Sequence, residues 1–184
     1  LSVGNAYYKD ANNDGKIEVY LQLKPGESVI IKTFYDDINT EEWHYYSNPT
    51  EVVNFSNDWQ LYFINSDPIV EESFDVDTLM SWTDIDNDSL KINRGTGLYR
   101  KTFQFSKNPE SEYVLSLGDV RESANVRING KDAGTLYAVP FEIKIGNLLQ
   151  DGDNTIEIEV TNLPANRIAD YDRSKIESAI GKAI

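Results

Sequence analysis

Gly97-Leu-Tyr-Arg-Lys-Thr-Phe-Gln-Phe105 is the stretch whose reading decides the fold. Tyr99, Lys101, Phe103 and Phe105 fall on one face, and Arg100, Thr102 and Gln104 on the other. That period of two is the signature of a half-buried β-strand. Downstream the pattern repeats in short pieces. Glu112 to Leu117 and Ala124 to Asn129 read as strands, and Asn129-Gly130 follows at once. Asn-Gly before a fresh extended run marks a tight hairpin, because both residues accept φ > 0. Phe141 to Ile145 and Thr155 to Thr161 add two more strands, joined through Leu148-Leu-Gln-Asp-Gly152. Short strands separated by turn residues predict an all-β fold, an antiparallel β-sandwich of jelly-roll type.

Upstream the pattern is less regular. Ile17 to Leu23 alternates, Lys24-Pro-Gly-Glu27 is a turn, and Ser28 to Phe34 reads as the return strand of a hairpin. Tyr35 to Ser56 reads as a loop with short extended pieces, and Trp59 to Ile64 as a strand. Phe74 to Ser89 is acidic and is expected to form a short helical turn or loop that packs Trp82 inward. In the tail, Ile176, Ala179, Ile180 and Ala183 fall at helical spacing, with Ser174 as a candidate cap. The expected organisation is therefore N-terminal strands over 1–56, which would complete a preceding sandwich, a jelly roll over 57–172, and a tail or short helix over 173–184.

Composition excludes several function classes. Among 184 residues, 31 are acidic and 17 basic, a formal net charge of −14. Such a surface repels phosphate backbones and anionic headgroups, so no nucleic-acid partner and no membrane insertion are expected. The chain has no cysteine, which removes disulfides and thiolate chemistry. Its single histidine, His44, excludes a two-histidine metal site. No apolar run approaches the ~18 residues of a membrane span. The chain opens with Leu1-Ser-Val-Gly4 and reads as a processed or excised piece.

Asp10-Ala-Asn12-Asn-Asp14-Gly15-Lys-Ile17-Glu18 is the sharpest local motif. Oxygen ligands at alternate positions before a glycine resemble the first half of a calcium loop. Leu21 stands where the bidentate glutamate of that loop belongs. Two readings stay open: a structural calcium site of Asp10, Asn12, Asp14 and Glu18, or a polar turn leading into the strand at Ile17. Asp84-Ile-Asp86-Asn-Asp88 carries the same ambiguity without the glycine.

A pyranose offers an apolar C–H face to an aromatic ring. Trp43, Tyr45, Tyr46, Trp59, Trp82, Tyr99 and Tyr137 are the candidate platforms. Trp59 and Trp82 read as core residues, whereas Trp43, Tyr45 and Tyr137 lie in loop-like contexts and are retained as candidate carbohydrate contacts.

Trp59 to Arg167 also resembles a known arrangement. The landmarks are Leu79-Met-Ser-Trp82, Gly95-Thr-Gly-Leu-Tyr99, Leu115-Ser-Leu-Gly118, Ala124-Asn-Val-Arg-Ile-Asn129-Gly, Pro140-Phe141, Gly152-Asp-Asn154, Ile158-Glu-Val-Thr-Asn162 and Asn166-Arg167. The series resembles the sugar-binding, galactose-binding-like jelly roll of family 2 glycoside hydrolases. It resembles still more the C-terminal part of family 106 α-L-rhamnosidases of Bacteroidetes. The segment Ile17 to Phe34 resembles the sandwich strand that precedes this domain in such enzymes. There the hydrolytic carboxylates belong to a separate barrel. The resemblance thus implies a non-catalytic carbohydrate-binding or architectural module of a secreted, periplasmic or cell-surface enzyme. Its partners would be glycan or other domains of the parent, the module itself would be monomeric, and Asn166 and Arg167 join the candidate sugar contacts. A small stand-alone hydrolase and a surface scaffold without glycan binding are the competing readings.

Overall fold

The structure is a computed structural model that describes residues 3–10, 14–36, 38–49 and 51–181. The chain divides into two compact units, Leu1–Val53 and Asn54–Ile184.

The first unit holds two short strands, β1 (Tyr8–Lys9) and β2 (Glu18–Val19), paired antiparallel. The expected hairpin of Ile17–Leu23 with Ser28–Phe34 does not form. Its turn does: Glu27 N donates to Lys24 O over 3.0 Å, and Gly26 takes φ 87°. Beyond the turn the arms part, because the polar groups of the first arm bind elsewhere. β2 pairs with β1 instead, and the Gln22 side-chain amide clasps Tyr46, donating to its carbonyl over 2.8 Å and accepting from its N–H over 2.7 Å. Ser28–Phe34 lies outside any sheet.

The second unit is the β-sandwich. Its main sheet has six strands. They are β3 (Trp59–Asp67), β4 (Phe74–Val76), β5 (Arg94–Phe105), β7 (Ser123–Ile128), β8 (Lys131–Leu136) and β10 (Gly152–Thr161), in the order β4-β3-β5-β10-β7-β8. All its pairings are antiparallel. A ribbon of β6 (Val114–Ser116) and β9 (Glu142–Lys144) forms a second, smaller sheet.

The register shows why the alternation matters. One rung runs Leu61, Tyr99, Ile158, Val126 across four strands, and its neighbour runs Phe63, Gly97, Val160, Ala124, Leu136. Both lie on the core face, where Leu61, Ala124 and Val126 are fully buried. The rung on the other side of Leu61, running Gln60, Arg100, Glu157, Arg127, Asp132, is polar throughout and lies on the opposite face. Phe141, Ile145, Leu149, Val120 and Trp82 belong to the same core cluster. Gly97 is required here by space: a Cβ would lie 3.0 Å from both the Leu61 Cδ1 and Trp82 Cζ3 atoms.

Trp82 opens a single 3₁₀ turn, Trp82–Asp84, started by the Ser81 hydroxyl accepting from Thr83 N. A one-turn helix α1 (Asp88–Lys91) follows, capped by Asn87. The expectation of a helical turn that packs Trp82 inward is met, and Trp59 is buried as expected. The Asn129-Gly130 hairpin also forms, with φ values of 53° and 73°.

The terminal helix α2 spans Ala165–Gly181, starting well before the expected Arg173. Pro164 sets its start: its carbonyl accepts the first helical bond from Ile168 N over 2.9 Å, and proline has no N–H to waste there. Ser174 is therefore an interior residue of the helix, not its cap.

Candidate functional site

The candidate sugar contacts divide between the two units. In the first unit, Asn5 organises the segment that carries Trp43 and Tyr45. Its N–H donates to Glu41 O over 2.7 Å, its carbonyl accepts from Trp43 N over 2.8 Å, and its side-chain amide holds the Ile38 and Thr40 carbonyls. Glu41, Glu42, Trp43, His44 and Tyr45 then line an open cleft of about 570 Å³. Trp43 is half-buried and His44 exposed. The hydroxyl of Tyr45 is committed to the fold: it accepts from Tyr7 N over 2.7 Å and donates to Tyr20 O over 3.0 Å. Its ring tilts against Tyr20 at 5.2 Å. Among the described residues, the indole N–H of Trp43 in this cleft has no such partner.

In the second unit the register brings the remaining candidates to one end of the main sheet. Leu136 pairs with Ala124, Ser123 with Thr161, Thr161 with Thr96, and Arg94 with Asp67. Tyr137 follows Leu136 directly and is 80% exposed. Strands lie about 4.8 Å apart, so this end spans on the order of 19 Å from β8 to β3. Between them sits a hydroxyl pair, Thr96 Oγ1 and Thr161 Oγ1, 2.9 Å apart. Asn166 and Arg167 occupy the first turn of α2 near the β3 side of this end.

Arg167 is tied down. Its Nη2 lies 3.2 Å from Asp67 Oδ1, and its Nη1 donates to Asp170 Oδ2 over 3.0 Å. Its guanidinium lies 4.4 Å from the Tyr171 ring centroid. Asp67 Oδ2 accepts from Arg94 Nε over 3.0 Å. Burial pushes the Asp67 carboxyl up, but the hydrogen bonds and charges of Arg94 and Arg167 outweigh it and hold it below the usual value. The Arg167 Nε, covered by protein, has no partner among the described residues. Arg167 thus fastens α2 to the ends of β3 and β5, and Asn166 is the exposed member of the pair. Sequence reading missed Asp67, Arg94 and Asp170. They lie far from Arg167 or on a helix expected to begin later, and nothing local marks them as its partners.

Of the candidate calcium ligands, Asp10 Oδ2 accepts from Gly15 N over 3.3 Å, and Asp14 Oδ1 from Lys16 N over 3.0 Å. Glu18 pairs with Lys9 at 3.3 Å in the β1–β2 ribbon. Asn12 lies outside the described residues. Among the described residues, no three carboxylates or imidazoles gather closely enough to hold a metal ion. In the other acidic loop Asn87 spends its side chain capping α1.

No family model matches the chain. Over 113 residues it is 38% identical to a protein of Formosa agariphila provisionally named a β-glucuronidase, covering 60% of this chain and 10% of that protein. The chain therefore spans about a tenth of the length of the curated relative it matches. Among solved structures, a rhamnosidase from Novosphingobium sp. PP1Y aligns with TM-score 0.60 at 24% identity, over 71% of this chain and 12% of that one. A β-D-glucuronidase of Dictyoglomus thermophilum aligns with TM-score 0.54 at 23% identity, over 65% of this chain and 21% of its own length. These likenesses are of fold: the chain carries a β-domain of the kind found within glycoside hydrolases.

Proposed function

We propose that this chain is a non-catalytic accessory domain of a secreted glycoside hydrolase, and that it meets glycan at the end of the sheet bearing Tyr137. One observation carries the reading. The same β-domain occurs as a minor part of enzymes named for different sugars, 12% of a rhamnosidase and 21% of a glucuronidase. A part common to enzymes that differ in substrate is suited to support or recognition, because the chemistry of cleavage resides in a dedicated site. The ordered landmarks from Trp82 to Arg167 favour an α-L-rhamnosidase-like parent, at the cell surface or in the periplasm.

The sheet end suits glycan in chemical terms. Tyr137 offers an exposed ring, the Thr96–Thr161 pair offers hydroxyls, and Asn166 offers an exposed amide. Titration calorimetry with rhamnose- and galactose-containing oligosaccharides tests this. Binding that Tyr137→Ala abolishes supports the assignment. Binding that survives Tyr137→Ala but not Trp43→Ala moves the site to the first unit. Heats of dilution alone, across the panel, leave the domain architectural and remove the glycan contact.

A further inference from the structure

Beyond the last core rung, the register lines up Asn65, Thr96, Thr161 and Ser123 on neighbouring strands β3, β5, β10 and β7. Gly97, Val160 and Ala124 belong to the core rung, so alternation turns Thr96, Thr161 and Ser123 to the opposite face. Asn65 is exposed and meets Thr96 just past a bulge. With strands about 4.8 Å apart, the row is on the order of 14 Å long. Tyr137 follows directly on β8, the next strand beyond β7. Hydroxyls and an amide offer donors and acceptors without charge, as the hydroxyls of a sugar chain require.

The guanidinium groups at this end are already occupied. Arg94 and Arg167 share Asp67, and Arg167 also holds Asp170. Arg121, two residues before Ser123, meets Asp119 through both arms of its fork: Nε donates to Oδ1 over 2.9 Å and Nη2 to Oδ2 over 2.8 Å. That hydrogen bonding holds the Asp119 carboxyl below its usual value. Glu122 follows, exposed, and its N–H donates to the Thr161 carbonyl over 2.8 Å. The carboxylates Asp67, Asp119, Asp170 and Glu122 thus outnumber the guanidiniums Arg94, Arg121 and Arg167 beside the row.

An anionic sugar gains little here. To reach Arg94 or Arg121 it must take the place of a carboxylate that already fits the guanidinium fork, exchanging one anion for another. Exposed ion pairs of this kind are individually weak, so the discrimination rests on the surplus negative charge and not on the strength of the pairs. The chain as a whole adds its net charge of −14, felt over a Debye length of about 10 Å at 0.1 M salt. A neutral sugar meets none of this repulsion.

We infer that the Tyr137 end of the sheet selects uncharged glycan: it takes neutral oligosaccharides along the row from Asn65 to Ser123 and rejects uronic and sulfated ones. The inference rests on the reading of this end as a glycan contact and adds the class of ligand to it.

Titration calorimetry tests it with matched ligands. Galactose oligosaccharides are measured beside counterparts oxidised to the carboxylate at C6, and rhamnose oligosaccharides beside sulfated counterparts. At 0.01 M salt, where the Debye length is about 30 Å, the neutral member of a pair should bind at least about tenfold more tightly. At 1 M salt, where it is about 3 Å, the gap should close to within about threefold. Asp119→Asn removes one negative charge and releases Arg121 at a site where both side chains are mostly exposed, so folding is not at risk. It should lower the neutral-to-anionic affinity ratio at least about threefold at low salt. Thr161→Val removes a hydroxyl from the middle of the row and should weaken neutral binding at least about threefold. Equal or tighter binding of the anionic members would overturn the inference while leaving the glycan contact in place. A gap that ignores salt, or a ratio unmoved by Asp119→Asn, would trace the selectivity to shape and overturn it as well. Neutral binding indifferent to Thr161→Val would take the sugar off the row. Binding of no glycan at all would remove the contact and the inference together.

Discussion

Arg167 of α2 reaches Asp67 at the end of β3 over 3.2 Å, and the same carboxylate accepts from Arg94 of β5 over 3.0 Å. One acidic group thus joins a helix to two strands. Asp67→Asn should weaken both ties at once. First-turn amides of α2 should then exchange faster, while Trp59 and Trp82 keep their fluorescence, since the core does not depend on this corner. Unchanged exchange in α2 would show that the helix is held by something else.

The same corner should respond to acid. Asp67 is held below its ordinary value of 3.8 in the folded chain. A carboxylate lowered by folding stabilises above the unfolded value, and that stabilisation is lost as pH falls through the folded one. The helical circular dichroism of α2 should therefore persist at neutral pH and decline below about pH 4. In Asp67→Asn this part of the acid response should be missing. Identical acid curves for the two proteins would refute the assignment.

Gly97 sits under Leu61 and Trp82 with no room for a methyl group. Gly97→Ala should cost about 1–3 kcal/mol by overpacking. Leu61→Ala, at a fully buried position, should cost about 2–5 kcal/mol. The double variant should lose less than the sum, because the cavity left by Leu61 admits the new methyl. Urea unfolding of the four proteins measures this, and strict additivity would contradict the packing described.

Asn154 is 2% exposed, and both ends of its amide are in use. Its oxygen accepts from Asn129 Nδ2 over 2.9 Å and Gln150 N over 3.0 Å, and its nitrogen donates to Gln150 O over 2.7 Å and Gly152 O over 3.0 Å. Asn154→Ala should destabilise by about 1–3 kcal/mol, through buried groups left without partners. Asn154→Asp should be worse at neutral pH than in mild acid, because a carboxylate would face two carbonyl oxygens and only its protonated form can donate. Thermal melts of both variants across pH check the sign.

Tyr137 makes the sharpest functional distinction. It is 80% exposed and outside the core, so Tyr137→Ala should leave the melting temperature unchanged. Affinity for a bound oligosaccharide should fall at least about tenfold, a loss of about 1.4 kcal/mol. Reduced affinity together with reduced stability would point instead to a packing role.

Legibility of the sequence followed the range of the forces at work. Tyr99, Lys101, Phe103 and Phe105 share a face because alternation is local, and Asn129-Gly130 turns because its φ values are local too. The hairpin expected at Lys24–Glu27 failed just beyond its own turn. There the outcome depended on Gln22 reaching Tyr46 and on β1 capturing β2, both long-range choices. Arg167 was visible as part of a motif, but its role was not. Whether a guanidinium is free for sugar or locked to Asp67 depends on which strand end the chain brings beside it. Tyr45 is similar: its aromatic character is plain in the sequence, but the commitment of its hydroxyl to Tyr7 and Tyr20 is set by the fold.

As the accessory domain proposed for it, this β-domain should support a hydrolase without cleaving glycosides itself. The decisive measurement is turnover by the purified chain of a broad panel of aryl-glycosides, α-L-rhamnosides and β-D-glucuronides included. No release above the buffer rate is expected, with the second unit folded as judged by its tryptophan fluorescence. A steady rate that copurifies with the chain and saturates with substrate would contradict it.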